Sequence, residues 1–241
     1  MRIGTGSVRM CTPRHPRRTG RSPAVSWTVA VSWTVLASLV TRWTSSHKCP
    51  NVLNMVVAPG LYRLGPDTGR ILLRTYRAGL VAQAGHDLII EATNWNGDLT
   101  MSDQGIPTAL KVQIAIDSLA VREGTGGIRP LTDRDRREIA HTARRVLGTD
   151  RHTEAVYTAT GFEPKDGGGV IEGTFMLMGT SHPLRLEVTE TGPEKYGATT
   201  TIVQSAYGIR PYTAFLGVLK VRDAVDVEVE VDMSAAKKAQ E

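Results

Sequence analysis

Hydrophobic and polar residues alternate along several stretches of this chain, the period-two pattern of strands with one buried face. The clearest stretch is Ala224–Met233, where Val225, Val227, Val229, Val231 and Met233 alternate with Asp226, Glu228, Glu230 and Asp232. Ala109–Asp117 sets Leu110, Val112, Ile114 and Ile116 against Lys111, Gln113 and Asp117. Pro183–Glu190 sets Leu184, Leu186 and Val188 against Arg185 and Glu187. Weaker alternation marks Leu61–Leu64, Arg70–Tyr76, Leu88–Met101, Glu154–Phe162, Gly169–Met178 and Ala198–Tyr207. Turn-forming residues separate these stretches: Gly65-Pro66-Asp67-Thr68-Gly69, Asn96-Gly97, Lys165-Asp166-Gly167-Gly168-Gly169 and Thr191-Gly192-Pro193. Asn96-Gly97 equally fits a bulge or bend inside one long strand. About eight strands joined by short turns predict an all-β antiparallel barrel or sandwich.

One helix interrupts the strands. Thr132 has the capping-box spacing to Asp135, Ile139, Ala143 and Val146 form an apolar stripe, and Gly148 supplies a stop. Tyr212–Leu219 is a short apolar stretch, helical or looped, between two strands. A barrel of about eight strands holds its own side chains or one small elongated ligand. The inward positions near its middle are Phe175 and Leu177, or Met176 and Met178, depending on register. With only three Phe in the chain, aliphatic side chains alone leave room for an apolar cavity. A solid core is the alternative, and periodicity does not separate the two.

Charge divides the chain. Residues 1–54 hold eight basic residues (Arg2, Arg9, Arg14, Arg17, Arg18, Arg21, Arg42 and Lys48) and no acidic one. Residues 55–241 hold 21 basic against 24 acidic residues, so the overall +5 becomes −3 for the remainder. That removes the argument for a polyanion partner from global charge, and no nucleic acid is expected. Cys11 and Cys49 both lie before residue 55, so no disulfide scaffold is expected in the rest. Within 1–54, Val-Ser-Trp-Thr-Val occurs at 25–29 and again at 31–35, and three of the four Trp (Trp27, Trp33, Trp43) are there. Ala24–Trp43 has about the length of a membrane span, but Ser, Thr and Arg42 interrupt it. Three readings stand: a targeting or anchoring segment, a disordered extension, or sequence upstream of a true start at Met55. A start at Met55 implies the cytoplasm; a genuine leader implies export or a membrane anchor.

Candidate chemistry is sparse. His86-Asp87 is the most tempting pair, but adjacent strand residues point to opposite sides unless a turn at Gly85 intervenes. A backbone hydrogen bond from His86 is the simpler role. His141, His152 and His182 show no metal-ligand spacing, and no metal or cofactor is expected. No nucleophile elbow, phosphate-binding loop or dinucleotide fingerprint occurs. The arginines at 129, 134, 136, 137, 144, 145 and 151 are interspersed with Asp133, Asp135 and Glu138. They read as a solvated helix face, or as a site for an anionic head group near the barrel mouth.

Several stretches, in order, resemble the YceI family, lipocalin-like polyisoprenoid-binding proteins of bacteria. They are Gly85-His86-Asp87-Leu88, Asn94-Trp95-Asn96-Gly97-Asp98-Leu99, Leu131–Ile139, Gly173–Leu184, Tyr207-Gly208-Ile209-Arg210-Pro211-Tyr212 and Val225–Met233. The resemblance implies an eight-stranded antiparallel barrel with one helix over a mouth, enclosing a long isoprenoid chain. The chain departs from the commoner pattern before the helix, where Gly124-Thr125-Gly126-Gly127 replaces an acidic run.

Together these readings divide the chain into a non-globular segment 1–54, a YceI-like β-barrel domain 55–233 and a disordered tail 234–241. The domain is expected to bind and sequester a polyisoprenoid or similar amphiphilic lipid without catalysis, and nothing in the chain opposes a homodimer. The expected ligand-binding residues are Leu73, Ile90, Leu110, Val112, Ile114, Phe175, Leu177, Val227 and Val229, with His86. The alternatives are an enzyme using His86 and Asp87 at the barrel mouth, and a filled barrel acting as a stress-related interaction protein.

Overall fold

Each alternating stretch becomes an extended segment because β-branched and aliphatic residues pack well on one face of a pleated surface, leaving the other face to water. The computed structural model of the protein describes residues 57–238 except Phe215 and Gly217, so the expectations for residues 1–54 lie outside the described residues. The first strands are β1 (Gly60–Leu64), β2 (Gly69–Thr75), β3 (Arg77–Ala78), β4 (His86–Ala92), β5 (Trp95–Met101), β6 (Pro107–Ala115) and β7 (Leu119–Gly126). The helix α1 (Asp133–Val146) follows. Then come β8 (Glu154–Lys165), β9 (Gly168–Leu177), β10 (Thr180–Gly192), β11 (Lys195–Val203), β12 (Thr213–Ala214), β13 (Leu219–Val221), β14 (Ala224–Asp232) and β15 (Lys237–Lys238). β12, β13 and β3 form a small separate sheet; the rest share one sheet in the order β15-β1-β5-β6-β8-β9-β10-β11-β14-β2-β4-β7.

The chain itself joins the two sides of that large sheet. β4 runs into β5 through Thr93 and Asn94, and β6 runs into β7 through a short helical turn, Ile116–Ser118. At this corner the Thr93 N–H and hydroxyl donate to Ser118 O (3.3 and 2.8 Å), and the Ala115 N–H donates to Asn94 O (3.0 Å). The β4–β5 and β6–β7 segments therefore form one long antiparallel pair bent at its middle. β2 flanks its β4 half and β8 flanks its β6 half. With each bent strand taken as a single path, eight paths surround a common interior: β2, β4–β5, β6–β7, β8, β9, β10, β11 and β14. The all-β, barrel-like class expected from the sequence is the one observed. β1 and β15 are additions on the far side of β5.

The structure sharpens several expectations. Leu88–Met101 is a bent strand, but the bend falls at Thr93–Asn94, and Asn96-Gly97 lies inside β5. β7 carried no alternation clear enough to predict it, because Gly124 and Gly126 interrupt the pattern. Tyr212–Leu219 contributes the short strands β12 and the start of β13. In the tail, Lys237 and Lys238 pair with Arg63 and Tyr62; a ladder of backbone groups leaves no hydropathy pattern to read. The outer faces of β2 and β14 are tied by ion pairs, Arg70 to Glu230 and the fork of Arg74 to both oxygens of Glu228 (2.6 and 2.8 Å). Exposed pairs contribute little stability, but these match the register that puts the valines inward.

The helix, expected over a mouth, runs back along β7, the last strand of the ladder. An otherwise unpaired strand edge needs such a cover. The Arg136 guanidinium donates to Arg122 O, and Arg144 Nε donates to Asp117 O at 3.0 Å. Thr132 caps the helix, with the reciprocal bonds of a capping box to Asp135. The Arg129 guanidinium grips both Asp135 oxygens at 2.7 and 2.9 Å, and with the Thr132 bonds it holds this carboxyl well below the usual carboxylate range.

A carboxyl with a folded-state pKa below its unfolded value of about 3.9 stabilises fully above that value, and the contribution fades as the pH falls through the folded one. Asp135→Asn is therefore expected to lower the melting temperature at neutral pH, with the gap to wild type closing below about pH 4 in melts followed by circular dichroism. A gap that persists in stronger acid counts against the Arg129–Asp135 clamp. Thr132→Ala should cost about 1 kcal/mol in denaturant titrations.

Candidate functional site

Strand alternation decides which side chains face inward. All ten residues singled out from the sequence line one cavity of about 1000 Å³: Leu73, Ile90, Leu110, Val112, Ile114, Phe175, Leu177, Val227, Val229 and His86. That volume sits at the upper end of the range for ligand pockets, roughly 300–1,000 Å³. At about 30 Å³ per molecule it would take on the order of thirty waters, and its walls offer them few hydrogen-bond partners. Leu73, Leu110, Val112, Ile114 and Val229 are only partly buried although they point into the barrel. Near the bent corner the interior is solid, with Ala92, Trp95, Ile116 and Leu119 buried. Trp95 Nε1 lies there, buried and without a hydrogen-bond partner among the described residues.

The register of β9 puts Phe175 and Leu177 inside. Met176 is exposed, and Met178 sits in the turn after the strand with φ 51°. Sequence reasoning left out Leu184, Leu186 and Tyr157, which also line the cavity; the alternation of Pro183–Glu190 was a usable signal for the first two. It also missed the wall that α1 provides. Asp135, Glu138, Ile139, Thr142, Ala143 and Val146 recur at helical spacing and face the cavity, yet no residue of the helix is buried. The apolar stripe of this helix faces the cavity, with Ile139 and Val146 half-buried against the core around it. Tyr157 donates weakly to Ile171 O and Leu184 O (3.2 and 3.4 Å), and burial pushes its hydroxyl up to about 12.

The polar side chains gather at one end. His86 shares the inward face of β4 with Leu88 and Ile90, and Nε2 donates to Arg129 O at 2.8 Å. A carbonyl only accepts, so Nε2 carries the proton. Asp87 points the other way, accepting from the Arg77 backbone N–H at 2.8 Å and facing the Arg77 guanidinium at 3.8 Å. The pair therefore does not converge. The glycine run before the helix makes room for this arrangement. A methyl at Gly124 would meet Leu131, one at Gly126 the Arg77 guanidinium, and one at Gly127 the His86 ring. Gly126 and Gly127 also have φ of 80° and 74°, a region open to glycine and strained for other residues.

The remaining candidates take other roles. His182 Nε2 donates to Ala206 O at 2.9 Å, and its ring meets Tyr207 edge-on at 5.0 Å. Among the described residues no three His, Cys, Asp or Glu side chains cluster as metal ligands would. Arg129, Arg134, Arg136 and Arg144 are engaged with Asp135, Glu138 and backbone carbonyls. No helix among the described residues is long and apolar enough to cross a membrane.

A profile of the YceI-like domain matches residues 77–233. Among solved structures, the chain is similar to BcnA of Burkholderia cenocepacia, with 9% identity over 68% of this chain and 94% of that one and a TM-score of 0.49. A Campylobacter jejuni YceI protein is 13% identical over 63% and 85% of the two chains, with a TM-score of 0.47. A polyisoprenoid-binding domain from Saccharophagus degradans implicated in plant cell wall breakdown is 12% identical over 72% and 97%, with a TM-score of 0.45. A search of curated proteins finds no match.

Two substitutions test the geometry. Val229→Phe extends into the cavity, so it should cost less than about 1 kcal/mol in denaturant titrations, against the 1–3 kcal/mol of an overpacked core. A larger cost would mean that the interior is already filled. Gly127→Ala puts a methyl against the His86 ring at a positive φ and should cost about 1–2 kcal/mol. It should also break the His86–Arg129 bond, visible as a change in the imidazole nitrogen shifts.

Proposed function

The chain belongs to the YceI-like domain family, and we propose that it is a non-catalytic carrier that sequesters a polyisoprenoid or similar amphiphilic lipid in its barrel. The cavity of about 1000 Å³, with its aliphatic walls, carries this reading. A hydrocarbon chain inside would add contacts to the partly buried walls and to the half-buried stripe of α1. Each methylene buried contributes about 0.8 kcal/mol, less the cost of immobilising the chain. Such a ligand needs length and apolarity more than shape, and the open walls suit that demand.

The head group would rest among the polar residues at the end of the cavity. Arg77, His86, Arg129, Glu138 and Lys220 line that part. Arg77 and Arg129 face Asp87 and Asp135, while Lys220 has no ion-pair partner among the described residues. A mildly anionic head group fits this balance. An enzyme built on His86 and Asp87 is the weaker reading, since each side chain is engaged with a different partner and they diverge. A filled barrel serving only protein contacts is disfavoured by the volume of the cavity. The proposal includes a cytoplasmic location if translation starts at Met55, and export or anchoring if residues 1–54 persist; N-terminal sequencing of the native protein distinguishes the two.

Purified protein extracted with organic solvent and examined by mass spectrometry should yield a long-chain lipid near one per chain. Removing it should lower the melting temperature, and adding a polyprenyl phosphate should restore it, as for any ligand that binds only the folded state. Neither lipid in the extract nor stabilisation on addition would overturn the carrier reading. His86→Ala with normal lipid content but a lost turnover of that lipid would favour the enzyme.

A further inference from the structure

Seven large apolar side chains are exposed among the described residues, and five of them lie in three loops. Leu80 (95%) and Val81 precede β4, Ile128 (86%) follows β7, and Tyr212 and Leu216 (107%) flank β12. Backbone pairing brings the loops together. The Val81 N–H donates to Val218 O at 3.4 Å, and Val221 and Lys220 pair with Arg77 and Ala78. Gly126 and Gly127, just before Ile128, lie against the Arg77 guanidinium and the His86 ring. The three loops therefore adjoin the polar end of the cavity, where Arg77, His86 and Lys220 line it.

Leu216 adds an independent observation. It has φ 58°, a conformation that a leucine adopts only under strain and that Asn or Gly adopts readily. A fully exposed leucine there adds nothing to the core and strains the backbone. Leu80, Ile128 and Leu216 are so exposed that they do not pack on one another, so they form three separate tips and not a flat patch. Charge points the same way. Residues 76–87, 126–135 and 208–223 carry Arg77, Arg129, Arg134, Arg210, Lys220 and Arg222 against Asp87, Asp133, Asp135 and Asp223, a small local excess of positive charge on a domain that is otherwise negative.

We infer that this rim docks on an anionic lipid bilayer. The apolar tips enter the head-group layer, and Arg210, Lys220 and Arg222 meet the lipid phosphates. Docked this way, the polar end of the cavity faces the bilayer, and a lipid chain passes between them without crossing water. Only that transfer step rests on the carrier reading; the docking rests on the rim itself.

Hydrogen exchange of the full chain, followed by mass spectrometry, tests this with vesicles of phosphatidylcholine alone or mixed with phosphatidylglycerol. Mixed vesicles should slow exchange in residues 79–85, 127–131 and 212–221, but not in the turn between β10 and β11 at the other end of the barrel. Phosphatidylcholine alone should protect these loops less. Leu80→Ser combined with Leu216→Asn, neither of which lines the cavity, should weaken vesicle binding at least roughly tenfold while leaving extracted lipid unchanged and melting temperature no lower than wild type, since Asn accepts the positive φ at 216. Protection confined to residues 1–54, no protection by either vesicle, or a double variant that binds as wild type would each overturn the docking. A protein that slows exchange in these loops where no vesicle does would assign the rim to a protein partner instead. Lipid content measured on the same samples separates this failure from failure of the carrier reading.

Discussion

Eight antiparallel chain paths are closed around a space that their inward side chains do not fill, and the rest of the structure depends on that constraint. Protein interiors normally reach the density of organic crystals. Here the inward residues of β2, β6, β10 and β14 are mostly Leu, Ile and Val, too short to meet across the barrel, and a cavity of about 1000 Å³ remains. A wall atom facing a void has no dispersion partner on that side. The fold must then be held from elsewhere: by the continuous ladder, by the solid floor around Trp95 and Ile116, and by the corner bonds between Thr93, Asn94, Ala115 and Ser118.

The bent pair of strands makes this closure possible. A single flat ladder would end in two unpaired edges, at β7 and at β15. The bend lets one hairpin serve both sides of the sheet, and α1 then covers the edge that β7 leaves. Arg136 and Arg144 each donate to a backbone carbonyl, of Arg122 in β7 and of Asp117 just before it, so charges that resemble a binding face in the sequence serve as fasteners. The clamp of Arg129 on Asp135 fixes the start of the helix, and Arg129 O in turn accepts a hydrogen bond from His86 Nε2. Helix cap, glycine run and polar end of the cavity are thus one connected arrangement.

That arrangement gives the glycine run before the helix a physical meaning. Gly124, Gly126 and Gly127 admit Leu131, Arg77 and His86. Side chains at those three positions would close the space that Leu131, the guanidinium and the ring occupy. The same loop continues into exposed Ile128, so the segment that shapes the cavity's polar end also forms part of its rim.

Alternation alone was enough to identify the long strands, because a half-buried strand must repeat every two residues, and it selected eight aliphatic residues and Phe175, all of which line the cavity. The capping box of α1 was equally legible, since Thr132 and Asp135 act within one turn. β7 was not: two glycines erase its pattern, and its place depends on pairing with β4, far from any local signal. The corner at Thr93–Asn94 was also invisible, because what bends the strand is a set of bonds to residues more than twenty positions away. Above all, periodicity reports which side of a strand is apolar but not how far away the opposite wall stands. The sequence alone determined an all-β domain with an aliphatic inner face, and only the closure of the barrel decided that this face surrounds a cavity.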